Sequence, residues 1–189
     1  MNILLIDTSA KEVAVQVLGD KEVLVVDKVE QGSTSSRIMP AIEQALGEAG
    51  ITVKQLDVVA AVSGPGSFTG LRIGVSVANG IAFGLGCKRL AVPALAALQE
   101  EGALAAIPSR AGYDYTLGEG YEELTTEEVS RVPSVGLEGS GAARILSKEE
   151  FYRRQAAYCL AHVEEASEAL IEPLYLKKCQ AERERENKA

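Results

Sequence analysis

The stretch that most constrains this chain is Ser63-Gly64-Pro65-Gly66-Ser67-Phe68-Thr69-Gly70-Leu71-Arg72-Ile73-Gly74. It follows the apolar run Val58-Val59-Ala60-Ala61-Val62, which predicts a buried strand. It precedes residues 75–85, whose apolar content predicts a helix. A strand that enters a glycine-rich turn and leaves as a helix is one way to build an anion-accepting turn. The glycines let backbone approach a ligand, and the helix start offers unpaired N–H groups. The pattern is not a Walker A loop, since no Lys follows the last glycine of a GxxxxGK(S/T) motif, nor is it a dinucleotide GxGxxG with its distant acid. The same turn also serves simply to join a strand to a helix, and both readings stand.

Apolar residues make up 47% of the 189 and charged residues 24%, which suits one or two compact units with ample core. The net charge of −8 makes the chain a poor stand-alone binder of a polyanion, so any contact with RNA is expected to be indirect. Gly and charged residues interrupt every apolar run before it reaches the length of a membrane span, so no membrane partner is expected. Met1 leads straight into a strand pattern, with no basic leader. Three widely spaced cysteines, Cys87, Cys159 and Cys179, fit a reduced cytoplasm and no metal knuckle.

Strands are predicted over residues 3–6, 13–18, 23–26, 57–63 and 88–92, with the first buried on both faces. A helix is expected from an N-cap among Ser33 to Ser36 to Ala49, closed by Gly50, with Pro40 either in its first turn or kinking it. Residues 71–85 form the second helix, and Pro93 is expected to open a third, running to about Glu101. This βββαβαβα order is that of the ribonuclease-H-like, actin and Hsp70-like α/β fold (ASKHA), and it assigns residues 1–102 to an N-terminal lobe. Residues 103–189 read as a reduced second lobe. Strand patterns fall at 103–108, 113–117 and 132–137, a helix start at 125–128, a long helix at 149–170, and a solvated tail from Gln180. Three long strands early in this half do not stand out.

Residues 63–74 resemble the signature of the TsaB (YeaZ-like) family, bacterial partner proteins in threonylcarbamoyladenosine modification of tRNA. Met1-Asn2-Ile3-Leu4-Leu5-Ile6-Asp7-Thr8-Ser9 is similar to that family's opening strand and turn, and Glu172-Pro173-Leu174-Tyr175-Leu176-Lys177 to its closing segment. The resemblance implies a non-catalytic subunit that docks on TsaD. TsaD would transfer a threonylcarbamoyl group to N6 of adenosine 37 in tRNAs reading ANN codons, with TsaE as ATPase partner. It implies no cofactor in the isolated chain, leaves ATP or ADP open at the TsaD junction, and implies a homodimer through the first two helices when TsaD is absent. The TsaD relatives carry a histidine pair on the first helix; here that region reads Ser33-Thr34-Ser35-Ser36-Arg37-Ile38-Met39-Pro40, and the only histidine of the chain is His162. No metal site is therefore expected.

Asp7, Thr8 and Ser9, with Gly64, Gly66, Ser67, Thr69 and Gly70, are the candidates to lie near a nucleotide. In that reading the hydroxyls and N–H groups meet a phosphate and Asp7 holds a water or cation. The plainer alternative is turn chemistry bonded to the local backbone. Arg72 reads either as an anion clamp or as a structural ion pair. Gly74, Ala78 and Ala82 recur every four residues, a row of small side chains that faces either a partner helix or the chain's own sheet. With Arg37, Ile38, Ala41, Ile42, Ala45, Arg72, Val75 and Asn79 they make the expected partner interface. A stand-alone ATPase or kinase-like lobe, and a protein related to metallopeptidases, are the competing classes. No Ser-His-Asp set can be assembled around one remote histidine.

Overall fold

Val, Ile and Leu dominate the first strands, and their alternation builds the sheet on which everything else rests. The computed structural model describes residues 1–19, 22–28 and 34–176, with backbone alone at 27 and 28. β1 (Ile3–Asp7), β2 (Glu12–Leu18) and β3 (Val23–Lys28) form an antiparallel meander. β4 (Val58–Gly64) and β5 (Lys88–Pro93) add to β1 in parallel, so the sheet order is β3-β2-β1-β4-β5. Every residue of β1 and β4 is buried, as their unbroken apolar runs require.

Two helices cover one face of this sheet. α1 (Thr34–Ala49) contains Pro40 in its second turn rather than its first. It ends where Gly50, at φ +74, lets the Ile51 N–H reach the Leu46 carbonyl at 3.1 Å. The expected capping residue Ser33 lies outside the described residues. α2 (Phe68–Leu85) is capped by Ser67, whose Oγ accepts from the Gly70 N–H, and closes at left-handed Gly86. By length and composition α2 is apolar enough to cross a membrane, which corrects the expectation that no run would be. Its inner side, however, packs on the sheet: Val75, Ala78 and Ala82 meet Leu4, Ile6, Val59 and Ala61.

Pro93 does not open a helix. It closes β5, and only a short 3-10 turn, Ala96–Leu98, follows. Ala94, Leu95 and Leu98 are drawn into the core, and the Ala94 N–H is taken by the Gly64 carbonyl at 2.8 Å. Burial of this linker outweighs the helix propensity of its alanines and leucines.

The second half repeats the first sheet. β6 (Leu104–Arg110), β7 (Tyr113–Leu117) and β8 (Tyr121–Thr125) form a meander, with β9 (Ser134–Gly136) and β10 (Arg144–Ile145) added in parallel to give β10-β9-β6-β7-β8. The three early strands that do not stand out in the sequence are therefore present. The second lobe is reduced in its helices rather than its sheet: α3 (Thr126–Ser130) stands where the first lobe has α1, and a loop links β9 to β10 where the first lobe has α2.

α4 (Lys148–Ala161) packs between the sheets and ends nine residues before the expected position 170. His162 stops it: its Nδ1 lies 2.8 Å from the Tyr158 carbonyl and its ring stacks on Tyr158. Ser167 then pairs with Arg89 at the β5 edge, the two N–H···O contacts being 2.8 and 3.0 Å, and this outcompetes further helix. The expected tail from Gln180 lies outside the described residues. The central core between the sheets joins Ile3, Leu5, Ala60 and Val62 to Ala105 and Ile107 and to Tyr152 and Cys159 of α4.

Candidate functional site

The β1–β2 turn, the glycine loop and the start of α2 come together in space, as the sequence reading expects. The Ser9 carbonyl accepts from the Ser67 N–H at 2.7 Å. The Thr8 hydroxyl donates to the Gly70 carbonyl at 2.8 Å, and the Asp7 Oδ1 accepts from the Ser9 N–H at 2.8 Å. Asp7 is only 5% exposed and Thr8 is buried.

The glycines earn their place by close contact with this turn. A Cβ on Gly70 would stand 2.0 Å from the Thr8 carbonyl oxygen, one on Gly74 2.1 Å from the Thr8 Oγ1, and one on Gly66 2.6 Å from the Ser9 carbonyl oxygen. Gly64 adopts φ +122, and a Cβ there would meet the Leu174 carbonyl oxygen at 2.7 Å. The loop's donors also turn inward: the Ser67 N–H serves Ser9, the Gly70 N–H the Ser67 hydroxyl and the Leu71 N–H the Ser67 carbonyl. Local backbone bonding, the plainer of the two sequence readings, describes these contacts. Ser67 and Thr69 are exposed at the rim.

Gln155, Tyr152, Glu12 and Lys148 are four participants that the sequence reading missed. Gln155 of α4 donates from Nε2 to the Asp7 Oδ2 at 2.7 Å across 148 positions. Beside it the Tyr152 hydroxyl donates to the Glu12 Oε2 at 3.2 Å, with Lys148 on the other carboxylate oxygen. Burial, then the negative charges of Asp7 and Glu12, push the Tyr152 phenol far above its ordinary range, so it remains a donor. Residues 167–175 form a strap. Arg89 donates to the Glu168 carbonyl at 2.8 Å, and Asn79 holds Ile171 by two 3.0 Å bonds, one to N–H and one to C=O. The Leu174 N–H reaches the Ser63 carbonyl at 2.7 Å.

The expected partner interface needs correction. Ile38, Ala41, Ile42, Ala45, Gly74, Val75, Ala78 and Ala82 are buried in this chain's own core, because the small-residue row lets α2 sit close on the sheet and on Thr8. Asn79 holds the strap. Arg37 is half-buried, while Arg72 is exposed and lies over the Phe68 ring, 5.5 Å from its centroid. That is a cation–π contact rather than the ion pair considered from sequence. Phe68 in turn packs at a tilt of 35° against Tyr175, centroids 4.7 Å apart. The outward side of α2 carries Arg72, Ser76, Gly80 and Phe83, flanked by half-buried Ile73 and Val77. Phe83 is 82% exposed, and nothing lies within 4 Å of a Cβ placed on Gly80 or Gly84. Among the described residues, no group of three or more His, Cys, Asp or Glu is placed to hold a metal ion.

Residues 25–110, which hold the glycine loop and both helices, match the family model described as TsaD: tRNA N6-adenosine threonylcarbamoyltransferase. The tRNA threonylcarbamoyladenosine biosynthesis protein TsaB of Haemophilus influenzae is 33% identical over 118 residues, 58% of this chain and 50% of that protein. Its Escherichia coli counterpart is 34% identical over 123 residues, 61% and 53%. Two Pseudomonas aeruginosa structures, one titled YeaZ and one described as similar to peptidase YeaZ, superpose with TM-scores of 0.70 and 0.71. Each is 25% identical and covers 93% of this chain and 99% of its own.

The chain is similar in sequence to TsaB proteins and in fold to YeaZ structures. Its two-sheet architecture is the α/β ASKHA type. The chain spans about half the length of the curated TsaB relatives it matches. The matched 25–110 region leaves out Asp7, Thr8, Ser9 and Gln155, so half of the turn-and-loop junction falls outside it.

Proposed function

We propose that this TsaB-type chain is a non-catalytic subunit that docks on a TsaD-type transferase and supports transfer of a threonylcarbamoyl group to N6 of adenosine 37 of tRNA. The observation that carries this reading is a mismatch inside the matched region. Residues 25–110 follow the transferase family model yet contain no histidine, whereas the resemblance implies a histidine pair on the first helix of the transferases. Fold without metal ligands is what a supporting partner retains.

The outward side of α2 is the docking face in this reading. Gly80 and Gly84 allow a partner helix to approach, Phe83 offers a large apolar anchor, and Arg72 offers a charge at one end. Met39 on α1, 45% exposed, extends the apolar surface. The acidic chain leaves tRNA to its partner, TsaE supplies ATP hydrolysis, and the complex works in the cytoplasm. The same face serves a homodimer when the transferase is absent.

Light scattering of the purified chain mixed with TsaD from the same organism, with and without ATP, tests this. A one-to-one complex that Phe83→Glu weakens at least several-fold is expected. Absence of a complex under both conditions, or threonylcarbamoyl transfer by the chain alone, refutes the reading.

A further inference from the structure

The end of β1 is where the sequence reading places a phosphate and a cation, and the structure fills that place from within. Both Asp7 oxygens are taken, Oδ1 by the Ser9 N–H and Oδ2 by the Gln155 amide. Gln155 has no exposed surface, and its own Oε1 has no partner. A phosphate arriving here would meet a carboxylate and an unpaired carbonyl oxygen, both repulsive to it. Nor is there room on the opposite side, where Gly70 and Gly74 already touch the Thr8 carbonyl and hydroxyl. The magnesium of a nucleotide would have to displace the Gln155 amide from Asp7 Oδ2 at a point where Asp7, Thr8 and Gln155 are all buried, so a magnesium nucleotide does not fit the residues as they stand. α4 is held down beside this point by Lys148 and Tyr152 on Glu12, so the amide is pressed into place rather than left to swing.

We propose that Gln155 is a built-in plug: its carboxamide stands beside Asp7 in place of a cation and closes the cleft between the lobes to magnesium nucleotides. The inference is independent of whether the chain docks on a transferase. It also means that a nucleotide at a partner junction is not held by Asp7.

The test uses the full chain and manganese ADP as probe, read as paramagnetic broadening of the Thr8, Ser9 and Gly70 amide signals. In the wild type these signals stay sharp at millimolar probe. In Gln155→Ala they broaden several-fold more, and the added Asp7→Asn change removes the gain. Gln155→Glu, which keeps the side-chain length and sets a second carboxylate against Asp7, is expected to broaden the same signals with manganese alone. Broadening in the wild type overturns the proposal, and so does a folded Gln155→Ala or Gln155→Glu whose signals stay as sharp as the wild type's. If neither variant folds, the wild-type titration decides.

Discussion

Gly70→Ala and Gly80→Ala place the same methyl group on the same helix and are expected to change stability in opposite directions. At Gly80 the added Cβ meets nothing within 4 Å, so the change removes glycine's backbone freedom from the unfolded chain and leaves the fold untouched. The expected gain is about 0.5–1 kcal/mol. At Gly70 the same entropy gain applies, but the methyl would stand 2.0 Å from the Thr8 carbonyl oxygen, a backbone atom that cannot rotate away. Thr8 is also tied to Gly70 by its hydroxyl, so relief of the clash breaks a buried hydrogen bond. Overpacking costs about 3 kcal/mol at the severe end, and the lost bond about 1 kcal/mol. After about 1 kcal/mol of propensity is returned, the net loss is about 3 kcal/mol. For a chain of this size that lowers Tm by roughly 6–12 °C, against a rise of roughly 1–4 °C for Gly80→Ala. Thermal and urea unfolding of both variants measure the difference directly. Equal shifts, or shifts of the same sign, would refute the claim that these glycines exist for close contact with the β1–β2 turn.

Asn79→Ala removes both bonds to the Ile171 backbone, and a loss of about 1–3 kcal/mol with faster proteolytic cleavage within 167–175 is expected; unchanged cleavage counts against the strap. Burial pushes the Cys159 thiol up to about 12, so thiol reagents at pH 8 should modify it only on unfolding, as mass spectrometry of native and denatured chain would show. Arg144 and Arg154 hold the Glu100 carboxyl below its ordinary value of 4.5, so its contribution is present above pH 4.5 and fades as pH falls through the lowered folded value. Glu100→Gln should therefore lower stability at neutral pH and flatten its acid limb. Burial raises the Asp114 carboxyl above its ordinary 3.8, and stability is lost as pH climbs from there through the raised folded value. Asp114→Asn should close that gap at neutral pH and change little in acid, as urea midpoints across pH would report.

The first lobe was legible because its signals are local. Ile3 to Ile6 and Val58 to Val62 can only be strands buried on both faces, and Ser67 followed by an apolar stretch marks a capped helix. The second lobe speaks more weakly. β8 reads Tyr121-Glu122-Glu123-Leu124-Thr125 and is an edge strand with no buried residue, so it lacks the alternation that would announce it. β10 is two residues long and exists only through its pairing with β9. At the site, the grouping of Asp7, Thr8 and Ser9 with the glycine loop followed from the fold. What the glycines do did not, because that depends on which backbone lies opposite each missing Cβ. Gln155 gave no signal at all: a glutamine on a helix 148 positions from its partner looks like any surface polar residue.

The two lobes show what the helices of this fold are for. Both sheets have the same strand order, yet the outer face of the first buries valines, isoleucines and alanines beneath α1 and α2. On the second sheet the corresponding buried positions include Asp114, Thr116 and Ser134, which no long helix covers. Backbone groups bond them instead: Ser134 donates to the Val129 and Val132 carbonyls, Thr116 donates to the Glu122 carbonyl, and the Asp114 Oδ2 accepts from the Gly141 N–H at 2.8 Å, while its Oδ1 is left without a partner. A polar inner face needs nearby backbone rather than an apolar stripe, and a five-residue helix with a glycine-bearing loop supplies that backbone. Loss of the long helices and gain of buried polar residues are thus one change seen twice. That change leaves the first lobe, with its long and partly uncovered α2, as the half of the molecule that offers a helical surface to a partner.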